Sequence, residues 1–297
     1  MMSDSPAPAS SSGQPPFATV GIVGLGLIGG SIALAVREAW PSVRLLGVDR
    51  AEVLELATQA GAVDGCSEGL DILAEADLIV LAAPVRQNVL LLPRVSAVAK
   101  QTAVITDVGS TKNDIVEVAA TLPRIPVFVA GHPIAGAATG GFQSARADLF
   151  RNRPWLFTPT PETPRASVEQ LSALATALGS VAGVMTLAEH DRVFAFVSHL
   201  PQLAVSALMA VAGNAVGADG LALSGRGLLD TTRLASSPAD IWRDVAAVNA
   251  AQIGPALDAL ITVLQSVRDD LQGGTRITDV FADAAKWRDE LVRRSQL

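Results

Sequence analysis

The chain has 297 residues, of which 49% are hydrophobic and only 17% are charged, so it can bury a sizeable core without disulfides or metals. Its net charge is −7 and it has no basic block, which argues against nucleic acid and anionic membrane surfaces as partners. The single cysteine excludes an internal disulfide and any cysteine-based metal centre, and we expect no metal site.

Residues 1–16 are rich in Ser, Pro and Ala, and they lack the basic start and apolar stretch of a secretory signal. We therefore expect a disordered tail. No uninterrupted apolar run reaches the ~18 residues that a membrane span requires. Together with the sparse use of cysteine, this predicts a protein of the reducing cytoplasm.

Short apolar runs alternate with helix-length segments from Ala18 onward, as in a parallel sheet that is buried on both faces. The runs cover residues 18–23, 43–48, 78–82, 103–107 and 127–130. Two later runs, at residues 155–158 and 184–186, could extend the sheet. The alternation predicts βαβ units in a doubly wound α/β domain over residues 17–187.

Residues 188–297 are rich in Ala, Leu and Val, and their pattern predicts helix nearly throughout, with interruptions at 213–223 and 236–238. This block is more apolar than one chain readily covers. It therefore predicts an all-α C-terminal domain through which the protein forms a homodimer.

A G-x-G-x-x-G motif joins the first predicted strand to the first predicted helix. Gly24 permits the tight turn, Gly26 lets the backbone approach a pyrophosphate, and Gly29 lets the helix pack close to the strand. Leu27 and Ile28 open the helix, whose free N–H groups attract phosphate. The motif in this context predicts a Rossmann-like dinucleotide-binding domain rather than a plain strand–helix turn.

Asp49 ends the second predicted strand, where a carboxylate can accept the ribose hydroxyls of NAD and repel a 2′-phosphate. Arg50 beside it leaves NADP possible, because an arginine there can bind that phosphate. Ala83 and Pro84 follow the next strand and leave room for the adenosine or nicotinamide, although a simple strand terminator is an equal interpretation. We therefore predict NAD as the cofactor, with NADP as the alternative.

Two polar segments at strand ends could supply chemistry. Ser110 and Thr111 either present a hydroxyl to the substrate or cap the helix that follows. His132 lies between Gly131 and Pro133 at the end of a predicted strand. This position favours a general base with a pKa near neutrality over a buried structural histidine.

The helical half contributes three further candidates. His199 precedes Pro201 in a helical pattern, so we expect a kink beside a site, with a packed structural histidine as the alternative. His190 lies in a charged helix start and is interpreted as structural. Arg233 has apolar neighbours, so we expect it to be partly buried and to bind a carboxylate of substrate or of an internal aspartate.

Taken in order, these motifs resemble those of the prephenate and arogenate dehydrogenases of tyrosine biosynthesis. The matching segments are the G-x-G-x-x-G, GSTK at 109–112, GHPIAG at 131–136, LF at 149–150, WLFTP at 155–159, HDR at 190–192, SHLP at 198–201, TRLA at 232–235 and WRD at 242–244. The resemblance covers almost the whole chain from Thr19 to about Asn249. It implies a nucleotide-binding domain followed by a helical dimerisation domain.

The resemblance also implies an activity, the NAD-dependent oxidative decarboxylation of prephenate to 4-hydroxyphenylpyruvate. An arogenate or dual-specificity cyclohexadienyl dehydrogenase is the alternative. By resemblance, His132 deprotonates the substrate hydroxyl and Ser110 orients it. Arg233 and His199 are then expected to bind the substrate.

Two departures from the family pattern bear on the substrate. Many prephenate-specific members have a glutamate two residues after the glycine that matches Gly136, where this chain has Ala138. Many also have a histidine where this chain has Gln202. Both differences leave prephenate and arogenate open as substrates.

Two more remote alternatives are a β-hydroxyacid dehydrogenase and a non-catalytic NAD-binding dimer. Enzymes of the first kind usually have a catalytic lysine in the helical half, where only Lys286 occurs. The second gives no reason for His132, Ser110, His199 and Arg233 to occur together.

Overall fold

The computed structural model describes residues 13–122, 126–137 and 139–295. Within these residues, eight strands form one sheet in the order β3-β2-β1-β4-β5-β6-β7-β8. They are β1 (Thr19–Val23), β2 (Arg44–Val48), β3 (Gly65–Ser67), β4 (Leu78–Leu81), β5 (Val104–Asp107), β6 (Val127–Pro133), β7 (Pro154–Thr158) and β8 (Val181–Val184). Neighbouring strands pair parallel except β6 and β7. The predicted α/β sheet is confirmed, and β3 is a short edge strand that the pattern missed.

In the part of the chain that the structure describes, five α-helices accompany the sheet. They are α1 (Leu27–Ala39), α2 (Ala51–Gln59), α3 (Val85–Val98), α4 (Asn113–Thr121) and α5 (Arg165–Ala177). Alternate residues of β4 enter two different buried clusters, Leu78 and Val80 in one, Ile79 and Leu81 in the other. Since alternate side chains point to opposite faces, the sheet is buried on both sides, which is why its strands are continuously apolar.

Strand β6 pairs with two strands in succession. Val127–Val129 pair with parallel β5, and the four residues that follow pair with antiparallel β7. His132, which we expected just after the strand, therefore lies within it. Strand β8 ends two residues before the predicted run does, because Thr186 caps the next helix instead of extending the strand.

The C-terminal half is helical in its described residues. Its helices are α6 (Leu187–Phe194), α7 (Leu200–Leu221), α8 (Arg226–Thr231), α9 (Ala239–Val248), α10 (Ala250–Asp269) and α11 (Thr275–Ser295). The predicted interruption at 236–238 is confirmed. The one predicted at 213–223 is smaller, because α7 continues to Leu221 with a break only at Gly217, where φ is +62°.

Two stretches of this half, Leu187–Leu221 and Ala250–Asp269, are long and apolar enough to cross a membrane, with mean hydropathies of 1.6 and 1.2. The expectation concerned uninterrupted apolar runs, and both stretches contain polar residues such as Gln202 and Asp258, so they reach the threshold in mean hydropathy only. Of the apolar 18-residue segment within each stretch, just 22% and 11% is buried within the chain. Such exposed apolar helices are also what a dimerisation domain presents to a second copy.

The predicted tail, residues 1–16, falls mostly outside the described residues. Its last residues lie against the sheet domain, where Trp40 Nε1 donates a hydrogen bond of 3.1 Å to the Gly13 carbonyl. At the other end of this domain, β8 ends at Val184 and α6 begins at Leu187, next to the predicted boundary between residues 187 and 188.

Candidate active site

The glycine loop between β1 and α1 permits a ligand to approach the backbone closely. Gly24 has a φ of +93°, and a Cβ there would lie 2.7 Å from the Ala83 nitrogen. A Cβ on Gly29 would lie 1.9 Å from the Gly24 carbonyl oxygen, whereas one on Gly26 would meet nothing within 4 Å. The fold therefore requires Gly24 and Gly29, and Gly26 leaves the start of α1 open, as a bound pyrophosphate needs.

Asp49 lies half-buried at the carboxyl end of β2. Its Oδ2 accepts a hydrogen bond of 2.6 Å from the Leu25 N–H, and its Oδ1 accepts one of 2.7 Å from the Arg50 N–H. The first bond ties the carboxylate to the glycine loop, which is the placement that binding ribose hydroxyls requires. The Arg50 side chain is exposed. These residues fit the ribose and pyrophosphate of a dinucleotide.

The turn after β4 is braced by Asn88, which is buried in the first turn of α3. Its Nδ2 donates a hydrogen bond of 3.1 Å to the Leu81 carbonyl, and its Oδ1 accepts one of 3.1 Å from the Ala83 N–H. Pro84 is exposed and immediately precedes α3. Asn88, which no sequence motif marked, thus holds the small-residue turn at the same sheet edge as the glycine loop.

A buried chain of hydrogen bonds connects β6 to α6. His132 Nδ1 lies 2.9 Å from His190 Nε2, and His190 Nδ1 lies 2.8 Å from Asp191 Oδ1. The Phe194 ring packs against both imidazoles, with centroid separations of 4.7 Å and 4.6 Å. We interpreted His190 as structural, whereas the structure makes it the link between His132 and a carboxylate.

These contacts determine which ring nitrogens carry protons. A carboxylate only accepts hydrogen bonds, so His190 carries its proton on Nδ1 and presents the Nε2 lone pair to His132. His132 then carries its proton on Nδ1 and has its lone pair on Nε2. His132 therefore has the tautomer that a general base needs, and the Asp191–His190 pair holds the ring in that tautomer.

Asp191 also holds the segment that carries Ser110. Its carboxylate accepts hydrogen bonds of 3.0 Å from the backbone N–H groups of Lys112 and Asn113 at the start of α4. Because α4 is capped from α6, neither Ser110 nor Thr111 serves as its cap. Ser110 remains half-buried beyond β5, at the same sheet edge as His132.

A fully buried ion pair braces the strand that carries His132. Lys112 Nζ contacts Asp107 Oδ2 at 2.5 Å and donates a hydrogen bond of 2.7 Å to the Gly131 carbonyl. Asp107 Oδ1 accepts a hydrogen bond of 3.1 Å from the Gly131 N–H. The residue before His132 is thus held at both its polar backbone atoms. Burial lowers the pKa of Lys112, and the Asp107 carboxylate opposes that shift.

Burial also lowers the pKa of His132 well below 6.5, and repulsion from His190 and Lys112 acts in the same direction. The pKa near neutrality that we expected from the position of His132 is therefore corrected downward. The physical reason is that the imidazole is only 9% exposed and has no adjacent carboxylate of its own. His132 is uncharged at pH 7 and available as a base.

His199 lies in an irregular segment between α6 and α7. Over Ala195–His199 the helix widens into a π-helical turn, in which the Leu200 N–H donates to the Ala195 carbonyl, five residues back. Where we expected a kink at Pro201, the structure shows this π-helical turn just before the proline. The ring is buried, and its Nδ1 lies 3.1 Å from Asn249 Nδ2. Burial lowers the pKa of His199 to about 4.

Arg233 begins a short 3₁₀ turn after α8, and its side chain is exposed. The partial burial that we expected was wrong, because its neighbour Leu229 is itself 70% exposed on the surface of this half. Gln202 holds the turn: its amide donates a hydrogen bond of 2.7 Å to the Leu234 carbonyl and accepts one of 3.2 Å from Ser237 Oγ. The other departure from the family pattern, Ala138, lies outside the described residues.

The sequence contained one signal for the residues of this site that we missed. Thr186 and Glu189 form a capping box, so the start of α6 is fixed and His190 and Asp191 fall in its first turns. An adjacent histidine and carboxylate at a defined helix start is a pattern that also indicates a catalytic pair. Asn249 gave no such signal, because an asparagine between two helical stretches ordinarily predicts a cap.

The two halves of the chain match two family models in succession. Residues 32–184 match the nucleotide-binding domain of prephenate dehydrogenase, and residues 186–282 match its dimerization domain. The chain belongs to the prephenate dehydrogenase family. The resemblance drawn from the motifs and the predicted fold class are therefore confirmed.

Individual family members match over nearly the whole chain. The prephenate dehydrogenase of Bacillus subtilis is 32% identical over 94% of this chain and 77% of its own length. The cyclohexadienyl dehydrogenase of Zymomonas mobilis is 28% identical over 92% of this chain and 95% of its own. The crystal structure of A. aeolicus prephenate dehydrogenase with hydroxyphenyl propionate and NAD+ has a TM-score of 0.83 at 25% identity, covering 92% of this chain and 98% of that one.

Family membership argues against both remote alternatives. Lys286, the one lysine that a β-hydroxyacid dehydrogenase mechanism would have available in the helical half, lies on α11 with its Nζ over the exposed Trp287 ring. The chain is instead an oxidoreductase of the prephenate dehydrogenase family.

Proposed function

We propose that this enzyme catalyses the NAD-dependent oxidative decarboxylation of prephenate to 4-hydroxyphenylpyruvate. The observation that best supports the proposal is the Asp191–His190–His132 chain, which gives His132 a free lone pair on Nε2. A base of this kind is what the oxidation of a substrate hydroxyl requires. The named relatives act on prephenate or, as the name cyclohexadienyl dehydrogenase indicates, on its class of ring.

In the proposed reaction His132 Nε2 takes the proton of the ring hydroxyl as hydride leaves the same carbon. Bound NAD+ supplies the hydride acceptor. The bond between the ring and its carboxylate then breaks, CO2 leaves, and the electron pair of that bond completes the aromatic ring. The proton held on His132 returns to the phenol oxygen, which restores the base.

The remaining candidate residues receive binding roles in this proposal. We assign Ser110 to orienting the hydroxyl, since Asp191 and not Ser110 caps α4. We assign Arg233 to a substrate carboxylate, because its guanidinium is exposed and held on a turn that Gln202 fixes. His199 would donate a hydrogen bond to the same substrate.

For the cofactor we propose NAD, with NADP as the alternative that Arg50 leaves open. The start of α1 would bind the pyrophosphate and Asp49 the ribose hydroxyls, while the turn after β4 would line the site. The residues involved are Gly24, Gly26, Leu27, Ile28, Gly29, Asp49, Arg50, Ala83 and Pro84.

The second candidate is an arogenate or dual-specificity cyclohexadienyl activity. It is favoured by the Zymomonas mobilis relative and by Gln202, which replaces a histidine of many prephenate-specific members. Steady-state kinetics with prephenate and with arogenate, each with NAD and NADP, separates the two. We expect the larger kcat/KM with prephenate and NAD.

His132→Asn tests the assigned chemistry. We expect kcat to fall by about 10²–10⁴-fold, the usual contribution of a general base, while the Kd for NAD stays within about threefold. His132 is not part of the glycine loop, so cofactor binding serves as the internal control. Arg233→Ala should instead raise KM, because a lost carboxylate clamp weakens ground state and transition state alike. A near-normal kcat in His132→Asn would refute the proposed base.

We further propose that the enzyme is a cytoplasmic homodimer that forms through its helical half. The support is a large exposed apolar surface on α7, α10 and α11, in a chain with a matched dimerization domain. The exposed residues are Leu208, Val211, Val216, Ile261, Val263, Leu264, Phe281, Trp287 and Leu291. Sedimentation velocity at micromolar concentration without detergent should give a dimer; a stable monomer, or a species that needs detergent, would contradict this.

A further inference from the structure

Asn249 lies between α9 and α10, and its side chain is directed toward the site. An asparagine at this position usually caps the following helix, but Asn249 makes no side-chain cap hydrogen bond and is 1% exposed. Its Nδ2 donates a hydrogen bond of 2.9 Å to the Asp191 carbonyl and lies 3.1 Å from His199 Nδ1. One amide group thus contacts both α6, which carries His190 and Asp191, and His199, a candidate substrate-binding residue.

The Asp191 contact determines which way the amide faces. A backbone carbonyl only accepts hydrogen bonds, so the NH2 group of Asn249 and not its oxygen faces Asp191. The same NH2 group faces His199 Nδ1, which must therefore be an acceptor. The proton of His199 is then on Nε2.

His199 Nε2 has no hydrogen-bond partner among the described residues, although it is buried. A buried N–H group is costly to leave unpaired, so native proteins rarely retain one without a use. The nitrogen that Asn249 forces to be a donor is thus the one that has an unused hydrogen bond to give.

We propose that Asn249 is a positioning residue that fixes His199 as a neutral Nε2–H donor to an oxygen of the substrate. The inference rests on the proposed function, in which His199 binds the substrate. It adds a residue 50 positions away that sets the protonation pattern of His199 without touching the substrate itself.

The charged groups around His199 are consistent with a neutral ring. Burial is the main cause of its pKa of about 4, and repulsion from His190 lowers it further, whereas the Asp191 carboxylate raises it. His132 on β6 also acts electrostatically on His199. At pH 7 His199 is therefore uncharged, and only its tautomer determines whether it donates or accepts.

Asn249→Asp tests the proposal, because it keeps the shape of the side chain and replaces the donor by a carboxylate. The carboxylate would require a proton on His199 Nδ1 and would raise the pKa of His199 above about 4. Above that new pKa, Nε2 loses its proton and can no longer donate. We expect the KM for prephenate at pH 8 to rise at least about tenfold and to fall again as the pH is lowered, while kcat changes much less.

The tautomer itself is measurable without substrate. The chain has only three histidines, so ¹⁵N chemical shifts of the rings can be assigned with single histidine variants. In the wild type we expect His199 to be protonated on Nε2 alone at pH 8, and in Asn249→Asp on Nδ1 alone. A merely structural role of Asn249 would change stability but not this pattern.

Gln252→Glu is the matched control, because it adds the same charge three residues along α10 at a half-buried side chain for which the described residues show no hydrogen bond to His199, and it should leave KM and the ring shifts unchanged. If Asn249→Asp fails to fold, the wild-type spectrum still decides, since a proton on His199 Nδ1 there overturns the proposal. A folded Asn249→Asp protein with unchanged KM and tautomer overturns it as well. A wild type that does not oxidise prephenate would refute the proposed function, whereas the spectrum tests the tautomer independently.

Discussion

Asp191→Asn should inactivate the enzyme while leaving its fold in place. The carboxylate of Asp191 makes two kinds of contact: it caps α4 through the N–H groups of Lys112 and Asn113, and it accepts the Nδ1 proton of His190. An asparagine whose oxygen takes the Oδ2 position keeps the cap bonds from Asn113 at 3.0 Å and from Lys112 at 3.3 Å. Its NH2 group would then face His190 Nδ1, so the His190 proton would move to Nε2.

The change propagates to the catalytic nitrogen through one more hydrogen bond. With its proton on Nε2, His190 donates to His132 Nδ1, and the remaining His132 proton must lie on Nε2. His132 would then present a donor where the reaction needs a base. We expect kcat to fall by about 10²–10⁴-fold, or roughly 3–5 kcal/mol in the activation barrier, with KM little changed.

Asp114→Asn is the matched control, since Asp114 lies in the first turn of α4 and interacts with Asp191 through charge repulsion, without a hydrogen bond to the Asp191–His190–His132 chain among the described residues. It removes a negative charge from the same region and should retain activity. Thermal melts of both variants show whether the cap survives. A folded Asp191→Asn enzyme whose kcat stays within threefold of the wild type would show that the tautomer argument is wrong.

Gly29→Ala should abolish folding or cofactor binding, because the new Cβ would lie 1.9 Å from the Gly24 carbonyl oxygen; a thermal melt and an NAD titration measure this. If Asp49 binds the ribose hydroxyls, the wild type should favour NAD over NADP by at least about tenfold in kcat/KM, roughly 1.4 kcal/mol, and Asp49→Ser should reduce the ratio. A clear NADP preference of the wild type would point to Arg50. Urea unfolding should show that the free energy of unfolding falls as the pH drops below about 6.5, by up to ~1.4 kcal/mol per pH unit for each proton taken up. The reason is that the histidines bind protons in the unfolded chain more readily than in the folded one. A flat profile from pH 7.5 to 5 would contradict this. The histidines with lowered pKa values are His132, His190 and His199.

The features that could be predicted from sequence are those with short-range causes. The glycine loop follows from residues that are neighbours in the chain, and the continuously apolar strands follow from burial on both faces of the sheet. His132 could be identified because a histidine between Gly131 and Pro133 at a strand end has few structural explanations. Its pKa, by contrast, could not be predicted, since the downward shift of that pKa depends on burial by elements that are distant in sequence.

The unpredicted part of the site consists of long-range pairs. His132 and His190 are 58 residues apart in sequence, and so are Asp191 and Asn249. No periodicity relates such residues, because they meet only after the sheet and the helical half have packed together. For Arg233 the error was to predict burial from its neighbours in sequence. Those neighbours are apolar, but the nearby Leu229 is itself exposed in the single chain, and Arg233 is exposed with it.

The double pairing of β6 separates the position of the base from the residues that are proposed to bind the substrate. His132 is part of a strand that pairs with Leu156 of β7, and its preceding residue is fixed by a buried ion pair, so its position tolerates little change. His199 and Arg233 instead belong to helices and short turns of the other half. Substitutions there can change which cyclohexadienol is accepted while the base stays where it is. The base is therefore fixed by the sheet together with His190 and Asp191 of α6, whereas the residues proposed to bind the substrate lie on the helices and turns that follow.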